Sequence, residues 1–140
     1  MKVKSPSKLN LHLEVIRKRD DGYHDVRSAI QLIDFHDVME FKIRKKDIVL
    51  NDQLEIRENI ILESANQMSR FLKEPKGIEI NLEKIIPMGG GMGGGSSNAA
   101  TTLLVLNKIW DINLSLTELQ KVAMKIGSDV PIFVSCHNSW

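Results

Sequence analysis

Cysteine, aromatic residues and proline are scarce in this sequence, and neither sign of charge dominates. Cys136 is the one cysteine among 140 residues, so no disulfide can close within the chain. That suits a reducing compartment, and a soluble cytoplasmic protein is expected. No apolar run approaches the roughly 18–20 residues of a membrane span, so no membrane partner is expected. The opening MKVKSPSKLNLHLEV has basic residues but lacks the continuous apolar segment of a secretory leader. Lys and Arg number 19 against 18 Asp and Glu, a formal net charge of +1. Polyanion binders carry a basic excess, so nucleic acid is not an expected partner, although a local cluster can still hold a small phosphate. His12, His24, His36, His137 and Cys136 lack the spacing of metal ligands, and no metal site built from side chains is expected.

What is present is ordinary globular material. Hydrophobic residues make up 42% and charged residues 26%, which excludes disorder and collagen-like repeats. The length suits one domain over residues 1–140. Leu9, Leu11, Leu13 and Val15 alternate with Asn10, His12 and Glu14, a half-buried strand by its period of two. Arg17–Asp25 reads as a loop or hairpin connection around Gly22. Residues 26–34, 38–43 and 48–50 read as further strands. Asn59 is a plausible N-cap for a helix carrying Ile61, Leu62, Ala65, Met68 and Leu72, stopped by Pro75 and Gly77. Ile78, Ile80 and Leu82 alternate as another strand. Ala99 to Trp110 suits a packed helix. Ser115 and Glu118 have the spacing of a capping box, with Leu119, Val122, Ala123 and Ile126 as the buried stripe and Gly127 as the stop. Asp129 and Pro131 open a short last helix through Phe133. Strands precede helices, which predicts an α+β fold.

Six of the nine glycines lie in PMGGGMGGGSSN, between Gly89 and Gly95. Glycine lets the backbone adopt positive φ and approach a ligand closely. Consecutive N–H groups in such a loop form an anion-binding concavity, and the helix that follows adds free N–H groups and a positive dipole end. Ser96 and Ser97 supply hydroxyls for phosphate oxygens or a magnesium ion. The loop is not a Walker A motif, because no lysine stands before Ser96. Gly89, Gly91 and Gly94 match GxGxxG only formally, and no apolar strand leads to Asp111, so a dinucleotide-binding oxidoreductase is disfavoured. The HRD and DFG signatures of protein kinases are absent.

Together with SPSKLNLHLEV, DGYH at Asp21–His24 and GSDVPIF at Gly127–Phe133, the segment PMGGGMGGGSSNAATTL resembles the GHMP small-molecule kinases, over about Ser5 to Val134. The resemblance implies the ribosomal-S5-like α+β domain that forms the N-terminal, ATP-binding half of these enzymes, with the C-terminal domain absent. It implies ATP and Mg²⁺ as cofactors. DGYH and GSDVPIF narrow it to members that phosphorylate the 2-hydroxyl of a cytidyl diphospho-methylerythritol. The implied catalytic residues are Lys8 and Asp129. Asn10, Tyr23 and His24 are implied substrate contacts, the last two on the cytosine ring. Pro87, Met88, Gly89, Gly90, Gly91, Met92, Gly93, Gly94, Gly95, Ser96 and Ser97 form the implied ATP-phosphate loop, with Lys84 a candidate near the adenine.

Three positions depart from the resemblance. Asn98 stands where aspartate is usual and carries no charge, Gly90 where alanine is common, and Cys136 near a frequent glycine. IFVSCHNSW runs apolar to Trp140, so a truncated chain is expected, with a short apolar tail docked on the core as the other reading. A non-catalytic remnant or nucleotide-binding fragment of the kinase is the alternative function.

Overall fold

The computed structural model describes residues 1–22, 24–52 and 59–136. Tyr23, His137 and the apolar end at Trp140 lie outside the described residues. The elements are β1 (Lys2–Lys18), β2 (His24–Arg44), β3 (Ile48–Asp52), α1 (Ile60–Ser69), β4 (Gly77–Glu83), α2 (Gly94–Ile109), α3 (Leu116–Ile126) and α4 (Val130–Cys136). The strands form one sheet in the order β1-β2-β4-β3. β1–β2 and β2–β4 pair antiparallel, while β3 and β4, joined through α1, pair parallel. The expected α+β class is the one observed.

Alternation explains the layering. Met39, Phe41, Ile78, Ile80 and Leu82 are buried on one face of the sheet. Ala65, Met68, Leu103, Leu106, Trp110, Val122, Ala123 and Phe133 from the helices join them in a single core. The intervening Glu40, Lys42, Arg44 and Glu79 make an ion-pair lattice on the other face, with Lys42 3.2 Å from Glu40 and Arg44 3.1 Å from Glu79. The hydrogen bond from Lys42 holds the Glu40 carboxyl below its ordinary range.

Two expectations need correction. The segments 26–34 and 38–43 are one strand, because β2 runs unbroken through Phe35 and only its register shifts there. Pro6 pairs with His36 and Ser7 with Ile33, so the extra residues fall beside a proline that has no N–H for the ladder. The expected hairpin connection joins Lys18 to His24, and in it Gly22 (φ 87°) donates its N–H to the Arg19 carbonyl.

The expected burial of Leu9, Leu11, Leu13 and Val15 also fails, for they are 43%, 69%, 59% and 59% exposed. Leu9 opposes Gln31, but Leu13 opposes Ser28. Partners an odd number of residues apart lie on opposite faces, so the bulge at Leu11 puts Leu9 and Leu13 on different sides. A clean period of two in sequence does not survive one inserted residue.

The helix ends follow their local chemistry. The Asn59 side chain accepts from Ile61 N at 2.9 Å. Ser115 and Glu118 close the expected capping box: the Ser115 N–H donates to Glu118 Oε2 at 2.8 Å and the Glu118 N–H to Ser115 Oγ at 3.3 Å. The Ser115 hydroxyl, donating to Glu118 Oε2 at 2.7 Å, and then the Ser115 N–H hold the Glu118 carboxyl below its ordinary range. Gly127 stops α3 as expected, in an extended conformation (φ −177°). Replacing Ser115 by Ala should lower stability by about 1 kcal/mol, measured as a shift of the urea midpoint at unchanged slope. An unshifted midpoint would show that the cap is not formed in solution.

Candidate active site

The glycine segment leaves β4 through Lys84, Ile85 and Ile86 and enters α2 at Gly94. Gly89, Gly91 and Gly93 have φ of 75°, 69° and 68°, with the intervening residues outside that region. Alternation of this kind is a backbone pattern found in anion-binding concavities. None of the N–H groups from Met88 to Ser96 donates to an acceptor among the described residues. Pro87 to Gly91 are exposed. At Gly93 the constraint is twofold. Its φ is left-handed, and a Cβ there would lie 2.8 Å from Phe133 and 3.1 Å from Lys8 Cε.

A cavity of about 340 Å³ opens over this loop. Pro87, Met88, all six loop glycines, Met92 and Ser96 line it, as the sequence suggests. Asn59, Ile60, Ile61 and Leu82 line it too, and they escaped the sequence reading. Asn59 was legible only as a helix cap, and nothing in its spacing marks a second role. Ser97 is fully buried, and its hydroxyl accepts from Ser5 Oγ at 2.9 Å inside the protein. It fastens α2 to β1, while Ser96 lines the cavity.

β1 passes beside the loop, and the Lys8 N–H donates to the Met92 carbonyl at 2.9 Å. The Lys8 side chain, 7% exposed, reaches Asp129 Oδ2 at 3.0 Å and donates to Asn10 Oδ1 at 3.3 Å. Asp129, 40% exposed, immediately precedes α4. An ammonium and a carboxylate far apart in sequence thus share one side of the loop. His24 is not brought to them. It pairs with Lys18 at the far end of the β1–β2 ribbon, about 30 Å of strand contour from Lys8 at the usual rise per residue.

The residues fit a magnesium ion held chiefly by phosphate oxygens. Asn98 Oδ1 is buried without a hydrogen-bond partner, and Asn98 and Ser96 both line the cavity. Hydroxyl and amide oxygens are hard ligands of the kind magnesium accepts beside nucleotide phosphates. Among the described residues no three His, Cys, Asp or Glu side chains gather as a metal site.

The Gly93→Ala variant should lose about 2 kcal/mol from left-handed strain and crowding, read from denaturant unfolding. Wild-type stability in this variant would mean that the loop relaxes without the described packing.

Comparison with known proteins agrees with this geometry. The 4-diphosphocytidyl-2-C-methyl-D-erythritol kinase of Acinetobacter baylyi is 45% identical over 145 residues, spanning 100% of this chain and 52% of that protein. The enzyme of the same name from Ruthia magnifica is 36% identical over 140 residues, 97% of this chain and 49% of its own length. The chain therefore spans about half the length of these curated relatives. A crystal structure of 4-(cytidine 5'-diphospho)-2C-methyl-D-erythritol kinase superposes with a TM-score of 0.87 at 32% identity, over 97% of this chain and 49% of that one. A mevalonate kinase structure shares the fold, with a TM-score of 0.64 at 19% identity, over 94% of this chain and 47% of that one. No helix among the described residues is long and apolar enough to cross a membrane. Residues 59–137 match the family described as GHMP kinases N terminal domain, and the chain belongs to that family.

Proposed function

We infer that this chain is the nucleotide-binding half of a kinase that moves the γ-phosphoryl of ATP to the 2-hydroxyl of 4-diphosphocytidyl-2-C-methyl-D-erythritol. The row of N–H groups from Met88 to Ser96 that find no acceptor among the described residues, next to the Lys8–Asp129 pair, carries the reading. The relatives' shared name supports the choice of acceptor.

Phosphoryl transfer asks a protein mainly for positioning and charge neutralisation. The loop amides and the start of α2 bind the β- and γ-phosphates. Ile60, Ile61, Leu82 and Met88 give the same cavity apolar wall for the adenine. Asp129 orients the acceptor hydroxyl and takes its proton as the oxygen attacks the γ-phosphorus and ADP leaves. Lys8 sits between loop and carboxylate, neutralising charge on the phosphoryl in transit. Asn10 contacts the acceptor. Ser96 and Asn98 would hold a magnesium ion beside the phosphates, and the ion would supply further neutralisation of charge. His24, at the ribbon tip, and Tyr23 take the cytosine. Bulges bend strands, and three register shifts interrupt β1.

Titration calorimetry with Mg·ATP tests the chain itself, and saturable binding is expected. Little turnover is expected from this half alone, which accommodates the reading of a nucleotide-binding fragment. Supplying the remaining half of the Acinetobacter baylyi relative should release ADP in proportion to the methylerythritol substrate. In that assembly Asp129→Asn should cut turnover at least about 100-fold, with ATP affinity changed less than about threefold. ATP binding without any substrate-dependent ADP release from the complete assembly would refute the choice of acceptor. Absence of ATP binding would refute the kinase reading.

A further inference from the structure

We propose that Asp37 is a positioning residue for the nucleotide loop, acting through Lys84; the proposal rests on the nucleotide-binding reading above. Asp37 is fully buried. It lies one residue past the point where the β2–β4 ladder ends, at Val38 and Glu83. Beyond that point the backbone leading to the loop has no strand to pair with, and the Asp37 carboxylate takes over. Its Oδ1 accepts the Ile85 and Ile86 N–H groups, each at 2.7 Å. Its Oδ2 accepts from Lys84 Nζ at 2.7 Å. A carboxylate with two backbone amides and an ammonium on it is fully satisfied, as a buried charge requires.

The consequence falls on Lys84. Its ammonium also donates to the Ile86 carbonyl at 2.6 Å, while its third N–H has no acceptor among the described residues. Lys84 lines the loop cavity, and a Cβ on Gly94 would come within 2.9 Å of Nζ. The cation is thus pressed against the first residue of α2, where the helix end is already positive. Left alone there it would be repelled. Asp37 holds it in place and leaves one donor for a nucleotide acceptor atom.

From its other neighbour the same corner is fixed by β1. Ser5 is the cross-strand partner of Asp37 and bonds Ser97 in the first turn of α2. Asp37 therefore belongs to a buried polar row that joins β1, β2, the β4 exit and α2. That row, rather than the apolar core, sets where the loop begins.

The test is a double-mutant cycle on Mg·ATP affinity, using the whole chain. Asp37→Asn and Lys84→Met should each weaken ATP about tenfold, the size of one charged hydrogen bond. The double variant should be no weaker than Lys84→Met. Phe41→Leu, in the core away from the loop, controls for lost stability and should leave ATP affinity unchanged. Should Asp37→Asn not fold, Asp37→Glu keeps the charge but moves the carboxylate, and it should weaken ATP in the wild type but not on the Lys84→Met background. Additive losses, or a Phe41→Leu loss equal to that of Asp37→Asn, would overturn the positioning role. So would an unchanged affinity in Asp37→Asn. A wild-type chain that does not bind ATP would instead remove the nucleotide reading and this proposal with it.

Discussion

The contact between β1 and the glycine loop is the constraint on which the rest of the site depends. One backbone bond, Lys8 N–H to the Met92 carbonyl, sets the distance between a strand and a loop that are otherwise unrelated in sequence. Because the loop touches β1 there, the Lys8 side chain rises beside Gly93 and meets Asp129. Any residue larger than glycine at position 93 would push the two apart. The Ser5–Ser97 hydrogen bond repeats the fastening one helical turn on. The ion pair, the loop opening and the start of α2 are thus consequences of one docking, and none of them can shift alone.

Burial explains why so polar an arrangement is tolerated. Ser5, Ser7, Lys8, Asp37, Ser97 and Asn98 are all buried. Such groups destabilise unless each finds a partner. Here nearly all do: Ser7 donates to the Phe35 carbonyl at 2.6 Å, and Asp37 collects three donors. Asn98 Oδ1 is an exception, and it lines the cavity, where a ligand or cation can satisfy it. An aspartate in its place would bring a charge to the same spot.

Local chemistry was legible in the sequence, and long-range geometry was not. Asn59, Ser115 and the alternation of Ile78, Ile80 and Leu82 state their roles because caps and strand faces depend on near neighbours. The glycine loop was equally plain, since few other structures need six glycines in seven positions. The approach of Lys8 to Asp129 came from the family resemblance, because no periodicity relates two such positions. The buried leucine face of β1 was misread: a bulge is a tertiary event that leaves no mark in hydrophobic alternation. Asp37 went unnoticed for the same reason, since an acidic residue near a strand end looks like any solvated one. The orientation of Ser97 depends on Ser5, far along the chain, and adjacent serines give no hint which will turn inward.

The β1–loop docking has a kinetic corollary. The site draws on β1, β2, the β4–α2 connection and the start of α4, so almost every closure that builds it spans a long stretch of chain. Contacts of that kind form slowly, because the entropy of ordering the intervening segments is lost before any bond is gained. A partly folded chain could hold its helices and caps intact and still have no nucleotide pocket. Ligand affinity in this molecule is therefore a property of the completed topology, and a bound nucleotide would act as a clasp on the first and last elements to come together.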